Sequence, residues 1–373
     1  MTKNYRPTWA EIDLKAVKHN LYRINALVND KVSVMAVVKA NAYGHGLIQV
    51  SRVLVENGIR YLGVATVDEA LRLRREGVDV PVLVLGSVLD EEAYAAVRNN
   101  ITLTLCDGRL ASLLSRFSAD SGMRARVHIK VDTGMGRIGV WHEEALDFIR
   151  ELDKDTNIDV EGVYTHFSSA ARDQMYTSFQ IEFFETLLEA LREEGIEIKY
   201  RHAANSIAAV DWKISHMNLI RPGILLYGVY PKETFRRILK LKPVMSLKTK
   251  VVFIKNTPPG RSISYGRTYI TQKETTIATV PIGYADGYGR ILSNKAEALV
   301  NGKPVRVVGI VTMDQTLLDV GNAGKVNVGD EVVLIGSQRN SAIPVEKVAK
   351  QARTIPYEIL ACITDRVPRV YIN

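Results

Sequence analysis

Cysteine is scarce in this sequence, with two residues in a chain of 373. Cys106 and Cys362 lie far apart and form no CxxC pair, so the sequence predicts neither a disulfide framework nor a thiolate metal site. Few cysteines without a pairing pattern are typical of proteins that work in a reducing compartment. We therefore expect a cytoplasmic protein.

Long hydrophobic runs are also missing, although 46% of the residues are hydrophobic. Nowhere do about eighteen apolar residues follow one another, as a membrane-spanning helix requires. The first residues, MTKNYRPTWAEIDL, are polar from the start and do not resemble a signal peptide. We expect no membrane partner.

A basic stripe of the kind that binds nucleic acid is absent as well. The formal net charge is +8, from 49 Lys and Arg residues against 41 Asp and Glu residues. However, the basic residues are interspersed with acidic ones, as in LRLRREG and LREEGIEIK, and no aromatic residues alternate with them. The charge therefore indicates a solvated surface, and we expect no nucleic-acid partner.

Alternating apolar residues in the first two-thirds of the chain predict eight strands, most of them separated by amphipathic helices such as VDEALRLRREG and DEEAYAAVRNN. The predicted strands are Val32–Lys39, Tyr61–Thr66, Val80–Gly86, Ile101–Cys106, Arg126–Asp132, Val160–Phe167, Tyr200–Asn205 and Asn218–Leu226. This order indicates an α/β fold, a closed (β/α)8 TIM-type barrel over residues 14–241. An open doubly wound sheet is the alternative, although no GxGxxG motif opens the first helix.

The pattern changes after about residue 241, where short β segments follow one another. These segments include LKTKVVFIK, ISYGRTYI, TTIATVPIGY, EALVNGKPVRVVG, QTLLDV and DEVVLIG. Asn301-Gly302, between two alternating runs, predicts a two-residue hairpin turn. We therefore expect a second, mostly antiparallel β domain over residues 242–373, with one amphipathic helix at Val345–Arg353.

Lys39 is the first candidate for chemistry, because it ends the apolar run VSVMAVVK and begins the loop ANAYGHG. A buried ammonium is costly unless it is paired or neutralised, and burial lowers the pKa of a lysine. A neutral lysine amine can attack an aldehyde to form an imine. In the alternative interpretation, the stem of Lys39 lies along the strand while its amine reaches water.

Several polar residues share the position of Lys39 at or just beyond the carboxyl end of a predicted strand, where barrel enzymes place their active sites. These residues are Lys130, Asp132, His166, Asn205 and Arg221. Along the fifth strand, the two-residue period places His128, Lys130 and Asp132 on one face. The intervening valines and isoleucine, residues 127, 129 and 131, should face the helices.

The string AVVKANAYGHG (36–46) resembles the cofactor-lysine segment of alanine racemases, which depend on pyridoxal 5'-phosphate (PLP). Further strings resemble the same family in order along nearly the whole chain: VHIKVDTGMGRIGV (127–140), THFSSA (165–170), HAANS (202–206), IRPGILLYG (220–228), SISYGRTY (262–269), PIGYADGY (281–288), TMDQT (312–316) and IPYEIL (355–360). The resemblance implies a homodimeric isomerase that interconverts L- and D-alanine and supplies D-alanine for cell-wall peptidoglycan. It also implies that the N-terminal segment 1–13 joins the C-terminal domain.

The resemblance assigns proton transfer to two residues. Lys39 would hold PLP as an imine and then exchange a proton on one face of the substrate, while Tyr265 would act on the opposite face. In the family this tyrosine reaches the active site of the other subunit, so the two sites of the dimer would be shared. Met313, through its backbone amide, and Tyr284 would contact the substrate or line its approach from the partner chain.

Arg221 matches the family residue at the pyridine nitrogen of PLP. An arginine cannot accept a proton, so the ring nitrogen should stay unprotonated, which limits the lifetime of the carbanion and hence transamination. The remaining cofactor contacts implied by the resemblance are Tyr43, Asn205, Ser206, the amides of Gly223 and Ile224, and Tyr357, with His166 hydrogen bonding Arg221.

Arg137 matches an arginine that contacts both the cofactor and the substrate carboxylate, a task that suits its planar fork of donors. Lys130 matches a lysine that is carbamylated in many relatives and then orients this arginine. No metal ion is implied. Two residues depart from the common family pattern, Ile310 and Thr312, where many relatives have arginine and cysteine. They change the polarity of the approach to the site and so bear on the preference for alanine.

Parts of the sequence also fit three alternatives to an alanine racemase. A non-catalytic PLP-binding barrel protein also has a lysine after its first strand, but it lacks a second β domain. A metal-dependent hydrolase barrel could use His128, Lys130 and His166, but it would need an HxH motif after the first strand, which KANAYGHG does not offer. A racemase of broader specificity, acting on serine for example, stays open.

Overall fold

The computed structural model describes residues 5–373. In chain order its strands are β1 (Thr8–Asp13), β2 (Ser33–Val37), β3 (Tyr61–Val64), β4 (Val82–Val84), β5 (Thr102–Leu105), β6 (Ala125–Asp132), β7 (Val140–Trp141), β8 (Ile158–Tyr164), β9 (Tyr200–His202), β10 (Leu219–Ile220), β11 (Met245–Lys250), β12 (Phe253–Thr257), β13 (Ser262–Ile263), β14 (Tyr269–Ile270), β15 (Thr275–Val280), β16 (Glu297–Val300), β17 (Lys303–Val307), β18 (Thr316–Asp319), β19 (Glu331–Gln338), β20 (Ser341–Ile343) and β21 (Arg369–Ile372).

Most of the α-helices lie in the first two-thirds of the chain, and the last two come before β21. They are α1 (Leu14–Asn25), α2 (Lys39–Tyr43), α3 (Leu47–Glu56), α4 (Val67–Arg75), α5 (Asp90–Arg98), α6 (Gly108–Ser121), α7 (Ala145–Asp153), α8 (Gln174–Glu193), α9 (Ala208–Asp211), α10 (Phe235–Ile238), α11 (Val345–Ala352) and α12 (Pro356–Ala361). No helix in the part of the chain that the structure describes is long and apolar enough to cross a membrane.

The predicted (β/α)8 barrel is confirmed. Its strands pair in the order β10-β2-β3-β4-β5-β6-β8-β9, and each of these pairs is parallel. A single parallel bridge between Asn205 and Arg221 joins the two ends of the sheet, just beyond β9 and β10. The ring is therefore closed at the carboxyl ends of its strands, where the candidate residues lie.

Side chains alternate along β6 as the sequence predicts. Val127, Ile129 and Val131 are buried in the main hydrophobic core. His128 lies on the other face, where its ring packs against the rings of Tyr61, Tyr200 and His202. The face of β6 that points into the barrel therefore supplies polar side chains towards the carboxyl ends of the strands.

The first and last predicted strands are too long. β2 ends at Val37, so Lys39 lies just beyond the strand and begins a tight turn. β10 contains only Leu219 and Ile220, because Pro222 has no N–H for a ladder and a 3-10 helix follows at Ile224–Tyr227. Lys39 and Arg221 therefore both lie just beyond the carboxyl ends of their barrel strands.

The C-terminal region forms a mostly antiparallel sheet in the order β12-β15-β18-β17-β16-β19-β11-β1-β21. β1 is antiparallel to β11 and parallel to β21, so residues from both ends of the described chain belong to this sheet. Of the predicted N-terminal segment 1–13, residues 1–4 lie outside the described residues. Asn301 and Gly302 connect β16 to β17 with φ values of 55° and 77°, which confirms the predicted hairpin turn.

The segment ISYGRTYI is not one β segment. It forms the two short strands β13 and β14, joined through a 3-10 turn at Tyr265–Arg267. Positive φ values at Ser264, Gly266 and Arg267 are incompatible with a continuous strand. Tyr265 is therefore placed at the tip of a hairpin.

Candidate active site

A cavity of about 590 Å³ opens at the carboxyl ends of the barrel strands. Most of the residues that the sequence predicted for the barrel's site line it: Lys39, Tyr43, Lys130, Arg137, His166, Asn205, Ser206, Arg221, Gly223 and Tyr357. Ile224 is fully buried at the start of the adjoining 3-10 helix. The fold thus brings together residues as far apart in the sequence as Lys39 and Tyr357.

Lys39 begins a turn of left-handed helix. Ala40, Asn41, Ala42 and Tyr43 have φ values between 52° and 54°, a conformation that costs roughly 1–2 kcal/mol for each residue with a side chain. Side-chain contacts hold the turn in place. Glu69 accepts hydrogen bonds from the amides of Asn41 (3.1 Å) and Ala65 (2.9 Å), and Asn41 accepts one from Leu47 (2.8 Å). Strain of this kind is concentrated at functional sites.

The surroundings of Lys39 favour its neutral amine. Burial is the main cause that lowers the pKa of Lys39, and the charge of Arg137 lowers it further, while Glu69 opposes them. A larger fraction of the amine is therefore free to act as a nucleophile or a base than for a lysine in water.

Arg221 is buried, with 4% of its surface exposed, and all its hydrogen-bond acceptors are neutral. It donates to Nδ1 of His202 (2.8 Å) and, through Nη2, to the carbonyl oxygens of Thr165 (2.7 Å) and Ala203 (3.0 Å). Nη2 also lies 3.3 Å from Nδ1 of His166. Burial lowers the pKa of Arg221 to about 10, so the guanidinium remains charged at neutral pH.

A chain of hydrogen bonds leads from Arg221 into the barrel. Nε2 of His202 lies 2.8 Å from Nδ1 of His128, and Nε2 of His128 lies 3.2 Å from the hydroxyl of Tyr61. Because Arg221 can only donate, His202 must accept at Nδ1 and donate from Nε2, and His128 must do the same. Burial, with the charge of Arg221, lowers the pKa of His128 to about 3 and that of His202 well below its ordinary value. Both imidazoles are therefore neutral.

Lys130 and Arg137 occupy another part of the cavity wall. Burial is the largest influence on Lys130 and lowers its pKa to about 8. Asp132 accepts hydrogen bonds from the amides of residues 134–137, at 2.7 to 3.2 Å, and so shapes the loop that carries Arg137. Burial opposes ionisation of Asp132, but these amides and Lys130 outweigh it and lower its pKa.

Three hydroxyl groups are available near the start of the 3-10 helix at 224–227. The Ser206 hydroxyl accepts a hydrogen bond from the Gly223 amide (2.8 Å), so this amide is engaged in the structure while the hydroxyl keeps its own O–H to donate. A Cβ atom on Gly223 would lie 2.3 Å from the Tyr43 hydroxyl, which only glycine permits. The rings of Tyr43 and Tyr357 lie 5.9 Å apart, and both line the cavity. Hydroxyl and amide groups suit an anion without adding charge.

The residues predicted to come from the partner subunit do not line this cavity. Tyr265, Tyr284 and Met313 lie in the C-terminal domain and are 72%, 42% and 53% exposed. Tyr265, at the tip of the β13–β14 hairpin, does not pack on the sheet. All three side chains are therefore accessible to another molecule.

The N-terminal domain model of alanine racemases matches residues 12–231, and the C-terminal domain model of the same family matches residues 244–371. The chain belongs to the alanine racemase family. An alanine racemase 2 from Caldanaerobacter subterraneus subsp. tengcongensis is 46% identical over 374 aligned positions, which cover 100% of this chain and 96% of the relative.

Solved structures of family members have the same fold. The alanine racemase from Bacillus anthracis with bound L-Ala-P is similar with a TM-score of 0.93 and 40% identity, covering 100% of this chain and 96% of that one. A histidine racemase from Leuconostoc mesenteroides subsp. sake is similar with a TM-score of 0.89 and 31% identity, over 100% and 99% of the two chains. Racemases named for different amino acids therefore share this architecture.

Some residues of the family site were not predicted from the sequence. Glu69 follows Thr66 in a T-x-x-E signature that marks a helix start, and the Thr66 hydroxyl accepts from the Glu69 amide as expected. The Glu69 carboxylate, however, accepts a hydrogen bond from the Asn41 amide in the turn that follows Lys39. Tyr164 packs its ring parallel to that of His202, with centroids 4.7 Å apart, and no local signal indicated that contact.

The structure also bears on a metal site. Within residues 5–373, no group of three His, Cys, Asp or Glu side chains is placed to hold a metal ion. Both ring nitrogens of His128 are engaged, one with His202 and the other with Tyr61. His128, His202 and His166 therefore take part in the hydrogen bonding around Arg221.

Proposed function

We propose that this protein is a PLP-dependent alanine racemase that interconverts L- and D-alanine by proton exchange at Cα with two bases. One observation supports this more than any other. A single cavity is lined by the Lys39 amine, the buried cation Arg221 and the hydroxyls of Tyr43, Ser206 and Tyr357, in a chain of the alanine racemase family.

The residues present fit PLP. A cavity of about 590 Å³ is in the range that accommodates a cofactor of this size. Lys39 would hold the aldehyde carbon, the three hydroxyls would receive the phosphate, and Arg221 would donate to the ring nitrogen. When bound, PLP withdraws electrons from the substrate and makes the Cα proton more acidic.

Lys39 would remove or return the proton on one face of the substrate, because its depressed pKa leaves more of the amine free to accept it. Arg221 would act as a donor that never releases a proton, and the neutral His202 and His166 keep it oriented without supplying a negative charge. This arrangement limits electron withdrawal at the ring and so disfavours transamination.

Racemisation needs a second acid or base on the opposite face, and we assign this role to Tyr265 of a partner subunit. The exposure of Tyr265, Tyr284 and Met313 supports this assignment, because side chains that serve their own barrel would not all be held in the open. The functional unit would then be a homodimer with two equivalent shared sites. Met313, through its amide, and Arg137 would bind the substrate carboxylate, and Tyr284 would line its approach.

We also propose that Lys130 is carbamylated. The neutral amine adds to carbon dioxide and releases a proton to form the carbamate, and burial lowers the pKa of Lys130 to about 8, close enough to neutral pH for a useful fraction to react. The resulting anion would lie in the same cavity as Arg137 and could orient its guanidinium.

The likeness to a histidine racemase favours a second candidate, a racemase with a broader choice of substrate such as serine. Ile310 and Thr312 replace residues that are polar or charged in many relatives, and this supports a different polarity along the substrate's path to the site.

In the cell the product would be D-alanine for peptidoglycan, made in the cytoplasm, and the two free cysteines agree with that location. We divide the chain into a barrel, residues 14–241, and a β domain, residues 242–373. The N-terminal segment would belong to the β domain.

The test is to purify the protein, add PLP, and record its visible spectrum before and after borohydride. Chiral chromatography then measures the conversion of L- and D-alanine, serine and histidine. We expect a visible band that borohydride removes, and conversion of alanine in both directions. A protein that binds no PLP would contradict the proposal, while PLP binding without racemisation of any amino acid would favour a non-catalytic barrel protein.

A further inference from the structure

A second polar cluster lies in the C-terminal domain, outside the cavity, and joins Arg6, Asp286, Arg366 and Asp314. Asp286 is fully buried, and Arg6 donates to both of its carboxylate oxygens, at 2.5 and 2.6 Å. Nε of Arg366 lies 3.3 Å from Asp286, and its Nη2 donates to Asp314 at 2.6 Å. Two cations therefore alternate with two carboxylates in one chain of ion pairs.

These ion pairs fix the loop of residues 281–287. The carbonyl oxygen of Pro281 accepts hydrogen bonds from Arg6 (2.8 Å) and from the hydroxyl of Thr8 (2.9 Å). On the other side, Thr364 donates to the carbonyl oxygens of Asp286 (3.2 Å) and Ala285 (3.0 Å). Both the N-terminal strand and the C-terminal segment thus hold this loop.

The loop of residues 312–315 is joined to the first loop through the backbone. The amides of Tyr284 and Ala285 donate to the carbonyl oxygens of Thr312 (3.0 Å) and Met313 (3.1 Å). A Cβ atom on Gly283 would lie 2.1 Å from the oxygen of Thr312, so the approach requires glycine. The ion pair between Arg366 and Asp314 adds a side-chain link, and the two loops form one unit.

Hydrogen bonds hold the backbone of this unit, but some of its side chains are exposed. Tyr284 and Met313 are 42% and 53% exposed, whereas Asp286, two residues after Tyr284, is completely buried. Burying a carboxylate is costly, and the cost is offset only when its ion pairs and hydrogen bonds are well formed. A network built on a buried carboxylate, next to two exposed side chains, is the arrangement expected where a ligand must meet those side chains in one fixed position.

We propose that Arg6, Asp286, Arg366 and Asp314 form a positioning network that fixes the Tyr284 and Met313 loops for binding of the substrate carboxylate in the partner subunit. This role rests on the proposed function, in which both loops reach across the dimer. None of the four residues touches the substrate; they act through the backbone. A misplaced amide would weaken carboxylate binding before and during the reaction alike, so the Michaelis constant should respond more than the turnover number.

The experiment compares two variants of the PLP-loaded enzyme with the wild type. Asp314→Asn keeps the shape of a side chain that is 58% exposed and removes its charge, and Arg366→Ala removes the link between the two carboxylates. Arg150→Ala is the matched control, because Arg150 also pairs with two carboxylates, Asp147 and Glu194, but on the surface of the barrel. Hydrogen exchange by mass spectrometry is measured on peptides that cover 281–287 and 312–315, and kcat and KM are measured for alanine.

We expect faster exchange of the Tyr284 and Ala285 amides in both network variants, with KM raised about five- to tenfold and kcat changed less than about twofold. The control should show neither effect. Unchanged exchange in both network variants would overturn the proposal, and so would faster exchange with an unchanged KM. A wild-type holoenzyme without racemase activity would instead refute the proposed function and with it the substrate role, while exchange alone would still show whether the network holds the loops.

Discussion

Nη1 of Arg221 donates a hydrogen bond to Nδ1 of His202 over 2.8 Å, so this buried cation faces a neutral imidazole rather than a carboxylate. The orientation of both groups is fixed, because His202 in turn bonds to His128 inside the barrel. A cation that the protein leaves without a countercharge can act on a bound ring as a permanent donor.

Reversing the charge at this position should change the chemistry of the site. We expect Arg221→Glu to slow racemisation at least about 100-fold, because a charged donor at the ring is lost. A carboxylate would keep the ring nitrogen protonated, so a long-wavelength absorbance band and more transamination product should appear. Arg221→Lys, which keeps a positive charge, should produce neither. If the Glu variant shows no new band and no additional side product, the electronic role of Arg221 is wrong.

Lys39 should carry the cofactor. After borohydride reduction, peptide mapping should find the pyridoxyl mass on Lys39, and Lys39→Ala should lose at least about a thousandfold in activity. Lys18→Ala, at an exposed position on α1, provides the control and should retain wild-type activity. Finding the label on Lys130, which lines the same cavity, would contradict the assignment.

Mixed dimers test whether the active site is shared. Lys39→Ala and Tyr265→Ala should each be nearly inactive, since each removes one of the two acid/base groups. If the two residues come from different subunits, a mixed dimer has one site with both lesions and one intact site. Random exchange of equal amounts makes half of the dimers mixed, so activity should recover to roughly a quarter of wild type. Tags on one variant confirm exchange, and no recovery after confirmed exchange would place both residues in one subunit's site.

Buried neutral histidines should make the fold sensitive to acid. The pKa of His128 falls from 6.5 to about 3 on folding, mainly through burial and also through Arg221. The unfolded chain therefore binds more protons below about pH 6.5, and stability is lost as the pH falls from there towards 3, by up to about 1.4 kcal/mol per pH unit for this residue.

Urea unfolding of the wild type and His128→Gln at about pH 7.5 and about pH 5 measures this dependence. Glutamine can still form hydrogen bonds but does not titrate, so the variant should lose less stability between the two pH values. His19→Gln, on α1 outside the barrel interior, is the control and should behave as the wild type. Equal losses in the wild type and the His128 variant would show that His128 does not contribute to acid sensitivity.

The sequence predicts the barrel well because its signals are repeated. Alternation of apolar residues, helices between strands, and polar residues at strand ends all lead to the same architecture, and the structure brings Lys39, His166 and Arg221 into one cavity. The hairpin at Asn301-Gly302 is equally predictable, since its turn depends on two adjacent residues.

Other features depend on contacts that no local pattern encodes. Ala40 to Tyr43 contain no glycine, and local preference would favour a right-handed turn; tertiary contacts, including those made by Glu69, hold the left-handed one. The alternating pattern extended the last barrel strand through Pro222, although β10 ends at Ile220. The hydrogen bond from His202 to His128 joins residues 74 positions apart, and only the closed barrel makes them neighbours.

The place of β1 has a consequence for the order in which the protein is made. β1 leaves the ribosome before any part of the barrel, yet it lies between β11 and β21, which are synthesised after the barrel is complete. The barrel can therefore close during translation while β1 has no strand to pair with. The C-terminal sheet is complete only when β21 emerges. β1 has two unpaired edges until β11 emerges and one until β21 emerges, so stalled or truncated chains should be prone to aggregate.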